Sequence, residues 1–307
     1  MAAPKSRRQL VTLLLLALAT LAALAWLGWR IGGAPSQQAV TARPALWHAS
    51  RDGREIWLFG TIHAVPKGEQ WLSPAITQAA QQSDVLLLEV TGLDVERASR
   101  AVFERLGKGE RLPPIAQRLA PEDAAQFQVL EGRHELHGLQ SYDSWAAALL
   151  INAAAASDLS LSAEDGGEAV LTRLFEQAGK PVRGLETIEG QLGLFDRLPP
   201  EDHRQLLTQS VREADQAPTL YRQLHDAWAR GDIATLEKQF LKPLQRAPGL
   251  RLTLLDTRNR DWTRAIDTQA RRDGGTLFVA VGAGHLVGEG SVQSRLARLG
   301  WRIERRQ

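Results

Sequence analysis

Two segments near opposite ends of this chain share one pattern, an apolar run that ends in Gly-x-x-His. Residues 56–63 have the sequence IWLFGTIH, and residues 277–285 have the sequence LFVAVGAGH. Short apolar runs of this kind predict strands buried inside a sheet. Each strand would deliver one histidine, His63 or His285, to the point where the strand ends. Because ligands of open α/β sheets bind beyond the carboxyl ends of the strands, both histidines are candidates for one site.

The glycines of the two patterns are expected to shape the turns after the strands. Glycine adopts backbone conformations that other residues reach only at a cost, and Gly60, Gly282 and Gly284 therefore predict tight turns. The two histidines can converge only if the two strands are neighbours, although more than two hundred residues separate them along the chain. The pattern therefore predicts neighbouring strands and a shared cleft.

Two carboxylates follow other apolar runs in the same way. Glu89 ends the run LLLEV at residues 86–90, and Glu186 follows a short strand predicted at residues 181–185. A carboxylate at such a position is costly unless it is paired or binds a metal. A salt bridge at the rim of the sheet remains an alternative for both residues. Imidazole nitrogen and carboxylate oxygen together suit Zn, Mn or Co, so the second interpretation is a divalent metal site.

The long stretch between the two Gly-x-x-His halves is mostly helical by its pattern. The fold class is therefore α/β (α+β), with a central, mostly buried mixed sheet and a large helical insertion between the two halves. Asp-Gly between two apolar runs predicts a hairpin at residues 45–59, and a strand, a helix and a strand close the chain as a βαβ unit. The predicted helices of the insertion include residues 121–136, 144–156, 167–178, 217–230 and 250–272.

The first thirty residues predict a membrane-spanning segment. Residues 10–29 carry no charge and are long enough to cross a bilayer, and the basic Lys5, Arg7 and Arg8 precede them. That order places the amino terminus in the cytoplasm and the remainder outside it. The alternative is a cleaved signal peptide, although the small residues 32–34 are followed directly by Pro35, which makes a poor cleavage site. The domain organisation is an anchor or signal at 1–30, a linker at 31–43 and one domain at 44–307.

Charge and cysteine usage exclude several functions. The chain has 37 Lys and Arg against 35 Asp and Glu, but four of the basic residues lie within residues 1–30, which contain no acid. The remainder carries 33 basic and 35 acidic residues, so no basic field suggests nucleic acid. Cysteine is absent, which excludes a thiol nucleophile and cysteine metal ligands.

The part of the chain after the apolar segment resembles the TraB/GumN family, which also includes the Tiki membrane metalloproteases. The matching segments occur in the family's order and span nearly the whole domain. One departure is Glu168, where the family more often has Asp. The segments are LFGTIHAVP at 58–66, LLLEV at 86–90, GGE at 166–168, GKPVRGLET at 179–187 with Gln191, RNRDW at 258–262 and FVAVGAGHLVG at 278–288.

The resemblance implies a metal-dependent hydrolase of the peptidase class, acting on a peptide or protein outside the bacterial cytoplasmic membrane. His63, His285 and Glu89 would hold the metal, or Glu89 would act as general base on the metal-bound water. Arg258 would stabilise an oxyanion or a substrate carboxylate, with Asn259 close to the site and Glu186 as a further catalytic candidate.

Two other functions remain open on the same residues. Distant relatives by fold include erythromycin esterase-like hydrolases, in which a histidine acts as base without a metal, and haem-binding ChaN-like proteins. The chain is therefore also a candidate for a metal-free hydrolase or for a periplasmic module that binds haem or another ligand. The sequence leaves the oligomeric state and the substrate open.

Overall fold

A β-hairpin opens the described part of the chain, which in this computed structural model comprises residues 42–91, 95–110, 112–245 and 247–307. Strand β1 (Leu46–Arg51) pairs antiparallel with strand β2 (Arg54–Thr61). Asp52 at φ 50° and Gly53 at φ 74° make the turn. Asp-Gly favours this left-handed pair of conformations because it matches the twist of the two strands, and the predicted hairpin is confirmed.

A mixed six-stranded sheet lies at the centre of the fold. Its other strands are β4 (Val85–Leu88), β6 (Val182–Gly184), β7 (Leu277–Gly282) and β8 (Arg302–Arg305). The strand order is β6, β4, β7, β2, β1, β8. Strands β6, β4, β7 and β2 run parallel to one another, so their carboxyl ends meet at one edge. The predicted pairing of the two Gly-x-x-His strands is confirmed, since β2 and β7 run side by side.

Helices occupy most of the chain between β4 and β7, which confirms the predicted insertion. Several of them begin with Pro in the first turn, as at Pro121 and Pro200. The helices are α1 (Pro74–Gln82), α2 (Val95–Gly107), α3 (Pro121–His134), α4 (Ser144–Ala156), α5 (Gly167–Gln177), α6 (Ile188–Asp196), α7 (Pro200–Glu213), α8 (Ala217–Ala229), α9 (Ile233–Leu244), α10 (Pro248–Arg251), α11 (Thr257–Asp273) and α12 (Val292–Arg298).

Apolar residues cover both faces of the parallel strands, because alternate side chains of a strand point to opposite faces. Leu86 and Leu88 of β4 pack in the larger core with the helices of the insertion. Val85 and Leu87 belong to a second core with residues of α11 and α12, among them Trp262. A sheet buried on both faces explains why these strands have continuous apolar sequences.

Three details differ from the sequence-based expectation. The helix predicted at residues 250–272 is interrupted, because a π-helical segment at Leu252–Asp256 separates α10 from α11. Strand β8 runs parallel to β7 but pairs with β1, so two strands lie between the strands of the predicted βαβ unit. A second, two-stranded sheet of β3 (Val65–Pro66) and β5 (Leu161–Ser162) was not predicted, because two residues are too few for a periodic pattern.

Across the described ranges, every helix is too short or too polar to cross a bilayer. The apolar segment predicted to do so, residues 10–29, lies outside the described residues, as do residues 31–41 of the predicted linker.

Candidate active site

The carboxyl edge of the parallel strands collects the predicted polar residues. His63 lies two residues beyond β2, His285 three residues beyond β7, Glu89 directly after β4 and Glu186 two residues beyond β6. His63, His285 and Glu89 are almost fully buried, with 8%, 2% and 2% of their surface exposed. Four segments that are distant in sequence thus place their side chains at one edge, as the sheet order requires.

Arg258, from the first turn of α11, lies at the centre of this cluster. Its Nη2 donates to Oε2 of Glu89 at 2.6 Å and to Oε1 of Glu186 at 2.5 Å, and its Nε donates to Oε2 of Glu186 at 3.2 Å. Its Nη1 donates to the Leu254 carbonyl at 3.2 Å and lies 3.1 Å from Nε2 of His285. These contacts occupy all five N–H donors of the guanidinium, so Arg258 has no donor left for an oxyanion or a substrate carboxylate in this arrangement.

Glu89 is an ionised carboxylate with partners on both oxygens. The backbone N–H of Gly282 donates to Oε1 at 2.8 Å, and the Gln191 amide donates to Oε2 at 3.0 Å beside Arg258. Burial favours the neutral acid, but the attraction of the Arg258 guanidinium, supported by the hydrogen bond from Gly282, outweighs burial and lowers the pKa of Glu89 to about 2. The carboxylate is therefore charged at any physiological pH.

Glu186 shares Arg258 and the Gln191 amide with Glu89 but is less buried. Gln191 donates to its Oε1 at 3.1 Å, and 15% of its side chain is exposed. Burial, together with repulsion from Glu89, raises the pKa of Glu186 above its ordinary value despite the attraction of Arg258.

The partners of His285 make its imidazole neutral. Nδ1 lies 2.6 Å from Oδ1 of Asn259, whose amide nitrogen donates to the Gly290 carbonyl, so Nδ1 carries the proton. Nε2 then accepts from Arg258. Burial and the Arg258 charge lower the pKa of His285 to about 3. The Trp262 ring packs against the imidazole at 4.5 Å between centroids. Both ring nitrogens of His285 are thus in use.

In contrast to those of His285, the surroundings of His63 favour the protonated imidazole. Its Nδ1 lies 2.9 Å from Oε1 of Glu168, which also accepts a hydrogen bond from the Thr61 hydroxyl. Burial lowers the pKa of an imidazole, but the attraction of Glu168 and, more weakly, of Glu89 outweighs burial and raises the pKa of His63 to about 9. Among the residues that the structure describes, none forms a hydrogen bond with Nε2 of His63, so this nitrogen can take part in proton transfer.

Two consecutive glycines bring Glu168 to His63. A Cβ on Gly166 would lie 1.9 Å from the carbonyl oxygen of His63, and a Cβ on Gly167 would lie 2.6 Å from Cγ2 of Thr61. Only residues without a side chain fit here. The amino terminus of α5 can therefore pack directly on the end of β2, and Glu168 in its first turn reaches the imidazole.

The three glycines of the Gly-x-x-His patterns do not adopt the turn conformations that were expected to require glycine. None of them has a positive φ, and Gly282 has φ −49°. A Cβ on Gly60 would lie 3.0 Å from the backbone of the turn after β7. A Cβ on Gly282 would lie 3.1 Å from Oε1 of Glu89, and a Cβ on Gly284 would lie 3.1 Å from the Phe240 ring. The expected reason, a turn conformation that only glycine adopts, is wrong, and close approach of neighbouring atoms is the reason instead.

Two aromatic side chains of α8 hold the turn that carries His63. Trp228 donates from Nε1 to the Gly60 carbonyl at 2.7 Å, and the Tyr221 hydroxyl donates to the Ala64 carbonyl at 2.7 Å. Residues seven positions apart lie on the same face of a helix, so one helix contacts both ends of the turn. The helical insertion therefore positions His63.

The sequence predicted one site for His63, His285, Glu89, Glu186, Arg258 and Asn259. The structure joins the last five of these by hydrogen bonds and places His63 at the same edge, where its side chain contacts Glu168. Sequence reasoning assigned no role to Glu168, Gln191, Trp262, Tyr221 or Trp228. Glu168 and Gln191 stand in the segments that carry the family resemblance, which is the signal that could have identified them. For the buried aromatic residues the sequence offers no such signal, because an aromatic residue on a helix face usually belongs to a core.

The side chains of this cluster do not form the metal site expected from the sequence. In the described part of the chain, no group of three His, Asp or Glu side chains is spaced to hold a metal ion. Both nitrogens of His285 and both oxygens of Glu89 already have partners, and one shared partner is the cation Arg258. The residues as arranged therefore do not fit a divalent cation.

Comparison with known proteins agrees with the sequence pattern. A sequence model of the TraB/PrgY/gumN family matches residues 45–305. The uncharacterized protein YbaP of Escherichia coli (strain K12) is 27% identical over 262 residues, which cover 82% of this chain and 92% of that protein. YbaP of Shigella flexneri is 26% identical over 274 residues, covering 82% of this chain and 96% of the relative. No solved structure matches the chain significantly.

Proposed function

This chain belongs to the TraB/PrgY/gumN family, and from that premise we propose that it is a hydrolase in which His63 is the general base. The observation that carries the proposal is the contact of 2.9 Å between Nδ1 of His63 and Oε1 of Glu168, at the edge of the sheet where ligands of α/β folds bind. A carboxylate on one ring nitrogen orients the imidazole and stabilises its protonated form, while the other nitrogen takes a proton.

His63 is favoured over His285 as the base because of their ring nitrogens. A general base needs a free lone pair directed at the substrate or at water. Nε2 of His285 accepts from Arg258 and its Nδ1 donates to Asn259, so neither nitrogen can accept a proton without breaking the cluster. The remaining residues of the cluster are then positioning residues. Arg258 and Asn259 hold the imidazole of His285, and Glu89 holds Arg258.

The proposed reaction is hydrolysis of an ester or amide bond. Deprotonated His63 takes a proton from water through Nε2, the resulting hydroxide attacks the carbonyl carbon, and the protonated imidazole returns the proton to the leaving group. Glu168 stabilises the imidazolium between the two transfers. A peptide or protein is the substrate class that the sequence suggests. Since the side chains of Glu168 and Glu186 are the most exposed of the cluster, at 16% and 15%, the scissile bond would approach from their side.

The test is hydrolysis of a panel of p-nitrophenyl esters and fluorogenic peptides by the purified full-length chain. His63→Gln is expected to lower kcat/KM by about 100-fold or more, the usual contribution of a general base. His137→Gln, a change to an exposed histidine after α3, is the matched control and should leave the rate unchanged. Wild-type activity in His63→Gln, on a substrate that the chain hydrolyses, would contradict the proposal.

We further propose that the domain acts on the periplasmic side of the cytoplasmic membrane. The support is the uncharged segment at residues 10–29 behind three basic residues, either as a single-pass anchor or as a cleaved signal. An alkaline phosphatase fusion after Gln307 is expected to be active in intact cells. Export would be contradicted by an inactive phosphatase fusion together with a fluorescent-protein fusion, at the same position, that fluoresces in the cytoplasm.

A further inference from the structure

The structure assigns to Arg258 the place of the metal ion that the family resemblance implies, so this chain holds a guanidinium instead of Zn, Mn or Co. This inference does not depend on the proposed hydrolase activity. Three of the groups expected to bind or surround a metal are Glu89, Glu186 and His285. A nitrogen of Arg258 lies within 3.1 Å of each of them. The cation of the cluster is therefore part of the chain.

The lone pairs that a metal requires are already directed at hydrogen-bond donors. Nε2 of His285 faces Nη1 of Arg258, and because Nδ1 bears a proton shared with Asn259, the ring has no second lone pair. Oε2 of Glu89 accepts from Arg258 and from Gln191, and Oε1 accepts from the backbone. A metal ion could bind only if the guanidinium moved away.

The guanidinium is fixed in its position. All of its N–H groups have acceptors, 4% of its side chain is exposed, and its central carbon lies 4.4 Å from the centre of the Trp262 ring. A guanidinium is a permanent cation in proteins, so Arg258 does not become neutral and leave the two glutamates. A divalent ion beside it would meet a like charge at short distance in a poorly solvated site.

His63 does not restore a metal site by itself. Its Nδ1 faces Glu168 at 2.9 Å, so the ring offers one nitrogen at most, and one ligand is too few for a Zn, Mn or Co site. The two Gly-x-x-His histidines therefore have different tasks in this chain: His285 accepts from the internal cation, and His63 pairs with an acid of the helical insertion.

Metal content of the full-length chain, purified without a histidine tag, tests the assignment. Inductively coupled plasma mass spectrometry is expected to find Zn, Mn and Co well below one per chain. The thermal midpoint should be the same in EDTA as in excess ZnCl₂, MnCl₂ or CoCl₂. Stoichiometric metal that is lost in His285→Gln or in Glu89→Gln would overturn the inference, whereas metal retained in both variants lies elsewhere and leaves it standing. If neither variant folds, histidine ligation in the visible spectrum of Co²⁺ bound to the wild-type chain would overturn it.

The variant Arg258→Met tests whether a metal ion can bind once the guanidinium is removed. This substitution removes the charge, approximately retains the side-chain length and leaves the carboxylates of Glu89 and Glu186 without their cation. The same metal salts are expected to raise the thermal midpoint of this variant and not that of the wild type. Equal stabilisation of the two proteins, or no stabilisation of a folded Arg258→Met, would show that the guanidinium does not stand in the place of a metal. If the variant does not fold, the wild-type measurements decide.

Discussion

His63 and His285 differ in charge at neutral pH because their ring nitrogens have different partners. Nδ1 of His63 lies 2.9 Å from the carboxylate of Glu168, and this attraction outweighs burial and raises the pKa of His63 to about 9. His285 accepts from the permanent cation Arg258, and the pKa of His285 is lowered to about 3. At the residue scale, the carboxylate and the guanidinium decide which histidine can exchange protons.

The pH dependence of catalysis should report the pKa of His63. If the neutral imidazole is the base, about one molecule in a hundred is active at pH 7, because the pKa of His63 is about 9. We expect kcat/KM to rise about tenfold per pH unit up to about pH 9 and then to level off. Glu168→Gln removes the charge that raises this pKa, so the rising limb should move to lower pH. An unchanged limb in Glu168→Gln would show that the Glu168–His63 pair does not set the profile.

Gly166 provides a steric test of the same pair. In Gly166→Ala the new Cβ would overlap the carbonyl oxygen of His63, with 1.9 Å between the atoms, so the backbone must shift. We expect a loss of about 1–3 kcal/mol or more in the free energy of unfolding, measured with urea, together with lower activity. Gly132→Ala in α3 is the matched control, because its Cβ would meet no atom within 4 Å. The control should be neutral or more stable by up to about 1 kcal/mol.

At the scale of elements, α8 determines where the His63 turn lies. Its side chains supply two buried donors to carbonyls on either side of His63, from Trp228 and Tyr221. Strand β2 fixes the chain only as far as Thr61, since the paired residues of β2 and β7 end there. Beyond that point the turn depends on the helical insertion, so the insertion is part of the site.

Tyr221→Phe tests this dependence with a minimal change. The substitution leaves the ring in place and deprives the buried Ala64 carbonyl of its donor, which should cost about 1–3 kcal/mol in the free energy of unfolding. We also expect kcat to fall and KM to change little, because the position of the base is altered and not the binding surface. Tyr142→Phe is the control, since its hydroxyl donates to Glu104, away from the cluster. Equal losses of kcat in both variants would indicate a general effect on stability.

The π-helical segment Leu252–Asp256 is the second element that shapes the site. It lies directly before the turn of α11 that carries Arg258 and Asn259, and the Leu254 carbonyl accepts from Arg258. Single π-helical turns inside α-helices are frequent at functional sites, where they change the direction of the residues that follow. Here the residues that follow are the partners of His285.

At the scale of the whole molecule, the raised pKa of His63 makes stability depend on pH. A histidine whose pKa rises on folding stabilises the fold fully below the unfolded value of 6.5, and this contribution is lost as the pH rises through about 9. The amount is on the order of 3 kcal/mol for a shift of this size. The thermal midpoint should therefore fall between pH 6.5 and 9, whereas the lowered pKa of His285 acts only below pH 6.5. His63→Gln should flatten this slope, and an equally steep slope in that variant would assign it to other groups.

The sequence by itself determined the parts of this protein that depend on short-range pattern. The apolar runs before Gly60 and Gly282 predicted neighbouring strands, and Asp52 with Gly53 predicted the hairpin. The family segments placed Arg258 and Asn259 at the edge of the sheet. The strands and the hairpin could be predicted because strand burial and turn conformation are decided by residues that are close together in the chain. The pairing of the two strands was inferred from their matching Gly-x-x-His ends, and Arg258 and Asn259 were placed by the resemblance alone.

Only the tertiary structure decided what the collected residues do. The two Gly-x-x-His histidines look equivalent in sequence, and nothing in their spacing shows that Glu168 will face one and Arg258 the other. The Glu168–His63 contact joins residues 105 positions apart at 2.9 Å, and the Arg258–His285 contact joins residues 27 positions apart at 3.1 Å. A charge at that distance in a buried site sets the protonation state, because little water screens it, and the distance depends on how helices pack. The choice between a metal ion and a guanidinium at this edge is therefore a property of the fold.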